Sequence, residues 1–161
     1  MTDPFSAAAN AAAFVGLADL ACRGARELYV FISALKSATA EIRKLGRELQ
    51  DLEQIISSLR RYCADFVSAA SAPADTAVLS SLVSCMKTCD EELCSLKQLL
   101  HSKAAPRDAM HRFGIKVKWV FDEDKIAKSS LRLDRTKLSL NTALAMLGRR
   151  FYTTINLGTA F

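Results

Sequence analysis

Between Thr39 and Phe66, Ile42, Leu45, Leu49, Leu52, Ile56, Leu59, Cys63 and Phe66 follow one another at spacings of 3, 4, 3, 4, 3, 4 and 3. That alternation is an a/d seam sustained for more than three heptads, and only an α-helix lays such residues along one face. No proline interrupts it, and Gly46 is its one glycine. Arg43, Lys44, Arg47, Glu48, Asp51, Glu53, Arg60 and Arg61 fill the intervening positions, so the opposite face is solvated. Lys44–Glu48 and Arg47–Asp51 stand four residues apart and are expected to pair. Thr39 is the expected N-cap. A helix of ~28 residues runs about 42 Å. An apolar stripe of that length needs partners of similar length, and the fold expected is an all-α bundle of four to five long antiparallel helices.

The rest of the chain agrees. Six Gly, three Pro and a half-hydrophobic composition poor in aromatics leave little from which to build a sheet. The first helix is expected over 5–36, starting at Asp3-Pro4, with Phe14, Leu17, Ala21, Ala25, Leu28, Ile32 and Leu35 as its stripe and Gly24 as a point where it kinks or divides. From Pro4 to Ala18 it carries no charge. The seam helix spans 39–68. A third, over 76–102, is capped by Asp75 or Thr76 and presents Val78, Leu82, Cys85, Cys89, Leu93, Leu96 and Leu100. The last, over 124–147, begins beside Asp122-Glu123-Asp124, where negative charge suits a helix N-terminus, and is expected to end at Gly148. Ile126, Leu133, Leu140, Leu144 and Leu147 form one stripe of it. Leu131 and Leu138 lie on another side, which predicts a second neighbour, within the domain or in an oligomer.

Lys116-Val117-Lys118-Trp119-Val120-Phe121 alternates like a strand. One short strand has nothing to pair with, so the stretch is expected to be a connector whose Trp119 and Phe121 plug the end of the bundle. Phe151–Leu157 has strand propensity without a partner, which sets a domain of 1–148 and a tail or linker start of 149–161. The expected core includes Leu45, Leu49, Leu52, Ile56, Leu59, Trp119 and Leu140.

Chemistry is not in evidence. There is no glycine-rich phosphate loop and no Ser-His-Asp or Cys-His arrangement in a supporting context. Cys85, Cys89 and Cys94 do not have the spacing of a zinc knuckle, and His101 and His111 stand too near a loop to argue for acid–base work. Neither catalysis nor a metal or cofactor is expected. Five cysteines, an odd number mostly on apolar stripes, suit buried thiols in a reducing compartment. With Asp3 where a signal peptide needs a cation, the expected location is cytoplasmic. Residues 1–102 hold 10 basic and 12 acidic side chains, net −2, whereas 103–161 hold 12 basic and 5 acidic, net +7. A basic third of this kind could meet phosphate, in nucleic acid or in lipid, but is more often simply a solvated face; its lipid-headgroup candidates are Lys116, Lys118, Arg132 and Arg135. Nucleic acid is not the expected partner.

Three stretches resemble one known group. Met1-Thr2-Asp3-Pro4-Phe5-Ser6 followed by small apolar residues, the joint at Ala38-Thr39-Ala40-Glu41 before the long Leu helix, and Lys116–Phe121 followed by an acidic start and Leu131–Leu147 are similar to fungal N-terminal domains of STAND-type (NOD-like) receptors, the HeLo-like group. The likeness runs over about residues 3–148. It departs from the group in the Ala-rich Ala7–Ala13 and in the end of the chain, Phe151–Phe161. The resemblance implies a helical bundle at the N-terminus of a larger receptor or scaffold, similar to the executioner bundles of mixed-lineage pseudokinases and some plant immune receptors. It further implies that copies oligomerise, move to the plasma membrane and bring about cell death by exposing the first helix, with Phe5, Phe14, Val15, Leu17 and Leu20 entering lipid. Its partners would be other copies of itself, anionic lipid and the downstream receptor modules. The competing expectation is an adaptor that oligomerises or docks a partner helix and never touches lipid.

Overall fold

A computed structural model describes residues 4–35, 38–68, 76–102 and 123–158, with side chains placed for 8–35, 38–65, 77–100 and 124–148. Among them are four helices and no strand: α1 (Pro4–Ser33), α2 (Ala40–Ser68), α3 (Thr76–Ser102) and α4 (Glu123–Gly158).

α2 organises the bundle as its periodicity requires. Ile42, Leu45, Leu49, Leu52, Ile56, Leu59 and Cys63 are all buried. Thr39 caps it: its Oγ1 accepts from the Ile42 amide at 3.4 Å and its carbonyl accepts from Arg43 at 3.0 Å. Opposite the seam, Glu48 and Asp51 do not pair with Lys44 and Arg47. Both reach across to Lys137 on α4, because one ammonium between two helices satisfies carboxylates that their own helix face would leave exposed to one another.

The helices form a square in which α1 packs on α2 and α3, and α4 packs on the same two. α1 and α4 are therefore diagonally opposite, as are α2 and α3. Asp19–Arg60, Arg26–Glu53 and the approach of Ile32 to Gly46 run in opposite chain directions, so α1 and α2 are antiparallel. Glu48–Lys137 and Tyr62–Leu147 run in the same direction, so α2 and α4 are parallel neighbours. Gly24 beside Leu93 and Glu27 beside Lys97 make α1 and α3 parallel as well, which leaves α3 and α4 antiparallel.

Each helix contributes a face to one core. From α1 come Ala11, Phe14, Ala18, Ala21, Ala25, Leu28 and Ile32; from α3 Leu79, Leu82, Met86, Cys89, Leu93, Leu96 and Leu100; from α4 Ile126, Leu133 and Leu140, with Thr136 the buried polar residue beside them. Four of the seven α1 positions are alanine, so that face is narrow in side-chain volume and lets the α1 backbone lie close to its neighbours.

Several sequence expectations change. α1 is continuous through Gly24, where an added Cβ would meet only Leu93 at 3.7 Å, an ordinary contact. Val78 and Cys85 are half-buried while Leu79 and Met86 take the buried positions: the buried row Leu79, Leu82, Met86, Cys89, Leu93, Leu96 and Leu100 keeps the alternating 3,4 spacing of a heptad seam, which a row through Val78 and Cys85 breaks between Cys85 and Leu93. Leu17 is likewise half-buried, with Ala18 in its place. α4 does not stop at Gly148 but runs to Gly158, and the strand-prone Phe151–Leu157 is helical backbone. Gly148 stands in open space on a helix that the Leu144–Leu147 contacts already hold to the bundle, and a glycine terminates a helix only where the chain has reason to turn. Trp119, Phe121, Lys116 and Lys118 lie outside the described residues, as do the connector and plug they were expected to form.

Candidate interaction surfaces

Among the described residues no group of three His, Cys, Asp or Glu side chains is placed to hold a metal ion. The cysteines are free. Burial pushes the Cys63 thiol up to about 11 and, with smaller contributions from Cys85 and Asp90, the Cys89 thiol up to about 12. Burial also raises Cys22 and Cys85. Such thiols stay protonated near neutrality and are poor nucleophiles and poor metal ligands. Among the described residues two helix faces stand out because folding does not account for them.

The first is the outer face of α1. Ala8, Ala9, Ala12, Ala13, Gly16 and Leu20 are exposed, and no charge appears among them. α2 shows the usual solution, with Arg43, Lys44, Arg47, Asp51, Arg61 and Asp65 on its exposed side. Charges enter α1 only from Asp19 onward, and most of them are tied across helices. Arg60 of α2 holds Asp19, Glu53 of α2 holds Arg26, and Lys97 of α3 holds Glu27 at 2.7 Å. Cys22 adds a weak contact to Ser57 Oγ at 3.6 Å. The pairs are largely exposed, so each contributes at most ~1 kcal/mol and together they act as clips rather than as the glue of the helix. An open groove of about 590 Å³ continues along the same face, lined by Arg23, Arg26, Glu27, Val30, Phe31, Ala34 and Lys97.

Sequence-derived insertion residues divide on this helix. Phe14 is buried, Val15 and Leu17 are half-buried, and Leu20 is 51% exposed. The Phe5 side chain lies outside the described residues. No described helix is long and apolar enough to cross a membrane.

The second face belongs to α4. Leu131 is 60% exposed, Leu138 69% and Met146 55%. Arg135 is exposed beside them, whereas Arg132 points toward α3 and lies 3.4 Å from Glu92. The inner side of α4 is fixed by Tyr62, whose hydroxyl donates to the Leu147 carbonyl at 2.7 Å. Lys137 fixes it further, bound to Glu48 and lying 3.4 Å from Asp134. Sequence reasoning missed these cross-helix pairs, because no spacing within one helix signals a partner some 40 or 90 residues away. The uncharged outer face of α1 was legible as composition, but its exposure was not.

A family model described as pigment biosynthesis cluster protein PigL N-terminal matches residues 2–154. Comparison with curated proteins and with solved structures gives no match.

Proposed function

The chain belongs to that family, a fungal helical N-terminal domain related to the HeLo-like group, and we propose that it is a non-enzymatic effector domain that self-associates and lays its first helix into a membrane interface. The observation that carries this reading is the exposed yet charge-free face from Ala8 to Leu20. A solvated helix gains nothing from lacking charge there, whereas a helix entering the headgroup and acyl boundary does. The uncharged run Pro4–Ala18 rises about 22 Å, short of the ~30 Å hydrocarbon core, so one copy lies in the interface plane rather than spanning. Asp19 marks its deep limit, because a carboxylate near the bilayer centre costs at least ~2.5 kcal/mol. Several copies around a polar path tolerate that charge, which makes permeabilisation a property of oligomers. The positive charge of residues 103–161 supplies long-range attraction to anionic lipid. In this reading the domain heads a larger receptor-like protein, its oligomerisation is driven by the modules that follow, and the outcome is cell death. A second reading, an adaptor in which α1 stays put and its outer face receives a partner helix, draws support from the full engagement of the inner α1 face and its three cross-helix clips.

The test is the double substitution Ala9→Glu with Ala13→Lys, which adds an i,i+4 pair to an exposed face and leaves the bundle intact. Dye release from anionic liposomes, with the protein chemically crosslinked into oligomers, should fall at least tenfold. Unchanged release, or no release by crosslinked wild type, turns the choice to the adaptor.

A further inference from the structure

We infer that the pocket between the end of α1 and the start of α2 is a site for a phosphate monoester, held by Arg43 and Arg47. The inference does not depend on the membrane reading: the pocket lies at the other end of α1 from the charge-free face, and it takes the same group free in solution or on a lipid.

The pocket encloses about 240 Å³. Buried Ile32 and Ala38 and half-buried Leu35 make its apolar side, while exposed Arg43, Arg47 and Gln50 with half-buried Tyr29 make its polar side. The three α2 residues stand at i, i+4 and i+7, so one strip of the helix brings them to the pocket, and Tyr29 reaches it from α1. Among the described residues no carboxylate lines it.

The arginines are the anomaly. Two like charges four residues apart on a helix repel, and the acids that could relieve them are committed elsewhere. Asp51, four residues beyond Arg47, lies 3.8 Å from Lys137 of α4, and Glu48 is bonded to the same ammonium. Glu53 pairs with Arg26 of α1. Glu41 stands two residues before Arg43 and six before Arg47, round the helix from both, and Lys44 adds another exposed positive charge. Among the described residues neither guanidinium has a carboxylate partner, and neither the Tyr29 hydroxyl nor the Gln50 side-chain amide makes a hydrogen bond. Folding gives no reason for the second cation, since a glutamate in place of Arg43 would form a favourable i,i+4 pair with Arg47.

The donors define the ligand. Two guanidinium forks, a phenol and a side-chain amide offer many N–H and O–H groups and little acceptor capacity, so the ligand is an anion. One fork satisfies a carboxylate bidentately. Two forks suit a group with three terminal oxygens and close to two negative charges, which describes a phosphate monoester. A phosphodiester has two free oxygens and one charge, and matches less well. Ile32 and Leu35 are placed to face the carbon atoms of the ester. Two sources present such a group: a small soluble phosphate ester, and phosphatidic acid, a lipid whose headgroup is itself a monoester.

Titration calorimetry of the full chain with glycerol 3-phosphate reads the site. Binding should be saturable and one to one, and Arg43→Gln and Arg47→Gln should each weaken it at least tenfold, the loss expected when a charged fork goes. Arg61→Gln removes the same charge from an exposed position near the other end of α2 and should change the affinity less than twofold. All three substitutions are at exposed positions, and an unchanged circular-dichroism spectrum and thermal midpoint verify that each variant is folded. Co-sedimentation with vesicles containing phosphatidic acid or phosphatidylglycerol, at matched surface charge, separates the sources. A preference for phosphatidic acid that is lost in the Arg43→Gln, Arg47→Gln double variant supports the site with a lipid headgroup in it. Glycerol 3-phosphate binding without that preference supports the site with a soluble ester in it. Neither saturable binding of glycerol 3-phosphate nor a preference for phosphatidic acid overturns the inference. So does a loss in Arg61→Gln equal to that in Arg47→Gln, which would show a response to net charge alone, or full affinity in both pocket variants.

Discussion

Lys137 is the point where α4 is fastened to α2, and replacing it by methionine isolates that fastening. Its side chain and that of Glu48 are each 15% exposed and hydrogen-bonded to one another. Asp134 lies 3.4 Å and Asp51 3.8 Å from the same ammonium. Methionine keeps the length of the stem and removes the charge, so three carboxylates are left around an apolar end. A charged hydrogen bond contributes ~1.5–3 kcal/mol, and breaking a fully buried pair costs ~3–5 kcal/mol. The pair here is mostly but not fully buried, so Lys137→Met should cost about 2–3 kcal/mol. Urea unfolding followed by circular dichroism measures it. Adding Glu48→Gln should recover part of the loss, because a neutral amide no longer needs the cation; the double-mutant cycle then shows a coupling of ~1 kcal/mol or more. The pH dependence carries a sign. Burial lowers the Lys137 pKa, but the hydrogen bond and charge of Glu48, with those of Asp134, outweigh it and raise the value above 10.5. A group whose folded pKa is raised stabilises fully below its unfolded pKa, and that stabilisation is lost as pH rises through the folded value. The gap between wild type and Lys137→Met should therefore be constant from pH 6 to 9 and close above about pH 10.5. Equal urea midpoints, additive single substitutions, or a gap that widens at high pH would each refute the reasoning.

Leu52, fully buried at the middle of the seam, should cost ~2–5 kcal/mol when cut to alanine, lowering Tm by roughly 4–15 °C in a chain of this size; an unchanged melting curve would mean that α2 does not face the core. Gly148→Ala should stabilise by up to ~1 kcal/mol, because the helix continues through it and an added methyl meets nothing within 4 Å. At Gly46 the same change should gain nothing or cost up to ~1 kcal/mol, since its Cβ would sit 3.2 Å from Ile32 Cγ2; equal gains at both glycines would show that this close approach is not felt.

How far the sequence reveals the fold depends on how sharply polar residues flank the buried row of each helix. α2 faces the middle of the square, so its buried residues fall on one heptad row and every described seam position is buried. α3 is buried along an equally regular row, but apolar Val78, Val83 and Cys85 flank it, and a row drawn through Val78 and Cys85 gives up Leu79 and Met86. The α1 stripe blurs for a different reason. Alanine is apolar enough to be buried and small enough to be exposed, so Ala18 in the core and Ala12 or Ala13 outside carry no distinguishing mark until a neighbour is placed beside them. The end of α4 departs from its local sequence signals because a glycine and a β-prone run are preferences, each ~1 kcal/mol, that a helix already anchored at Tyr62 and Leu147 overrides.

The candidate surfaces are harder to read than the core for a physical reason. Burial imposes periodicity, whereas an interaction face shows itself by what is missing from a solvated position, and solvation is a property of the assembled square. Leu131 and Leu138 illustrate this. Their spacing set them apart from the Ile126–Leu140 row, but two outcomes remained, a further neighbour within the domain or one beyond it. Among the described residues α4 packs on α2 and α3, and both leucines are exposed. The same placement puts the charge-free face of α1 at the opposite corner. On the proposed reading, copies are gathered by the modules that follow and meet lipid through this corner, two events that need no shared surface. Coupling between them then comes from local concentration rather than from a change of shape, so leakage should rise steeply with copies held together and should not require the bundle to unfold. Hydrogen exchange in α2 during leakage decides it: seam amides from Leu45 to Leu59 that stay protected fit this arrangement, and seam amides that open as dye is released would show that α1 leaves by dismantling the core it helps to close.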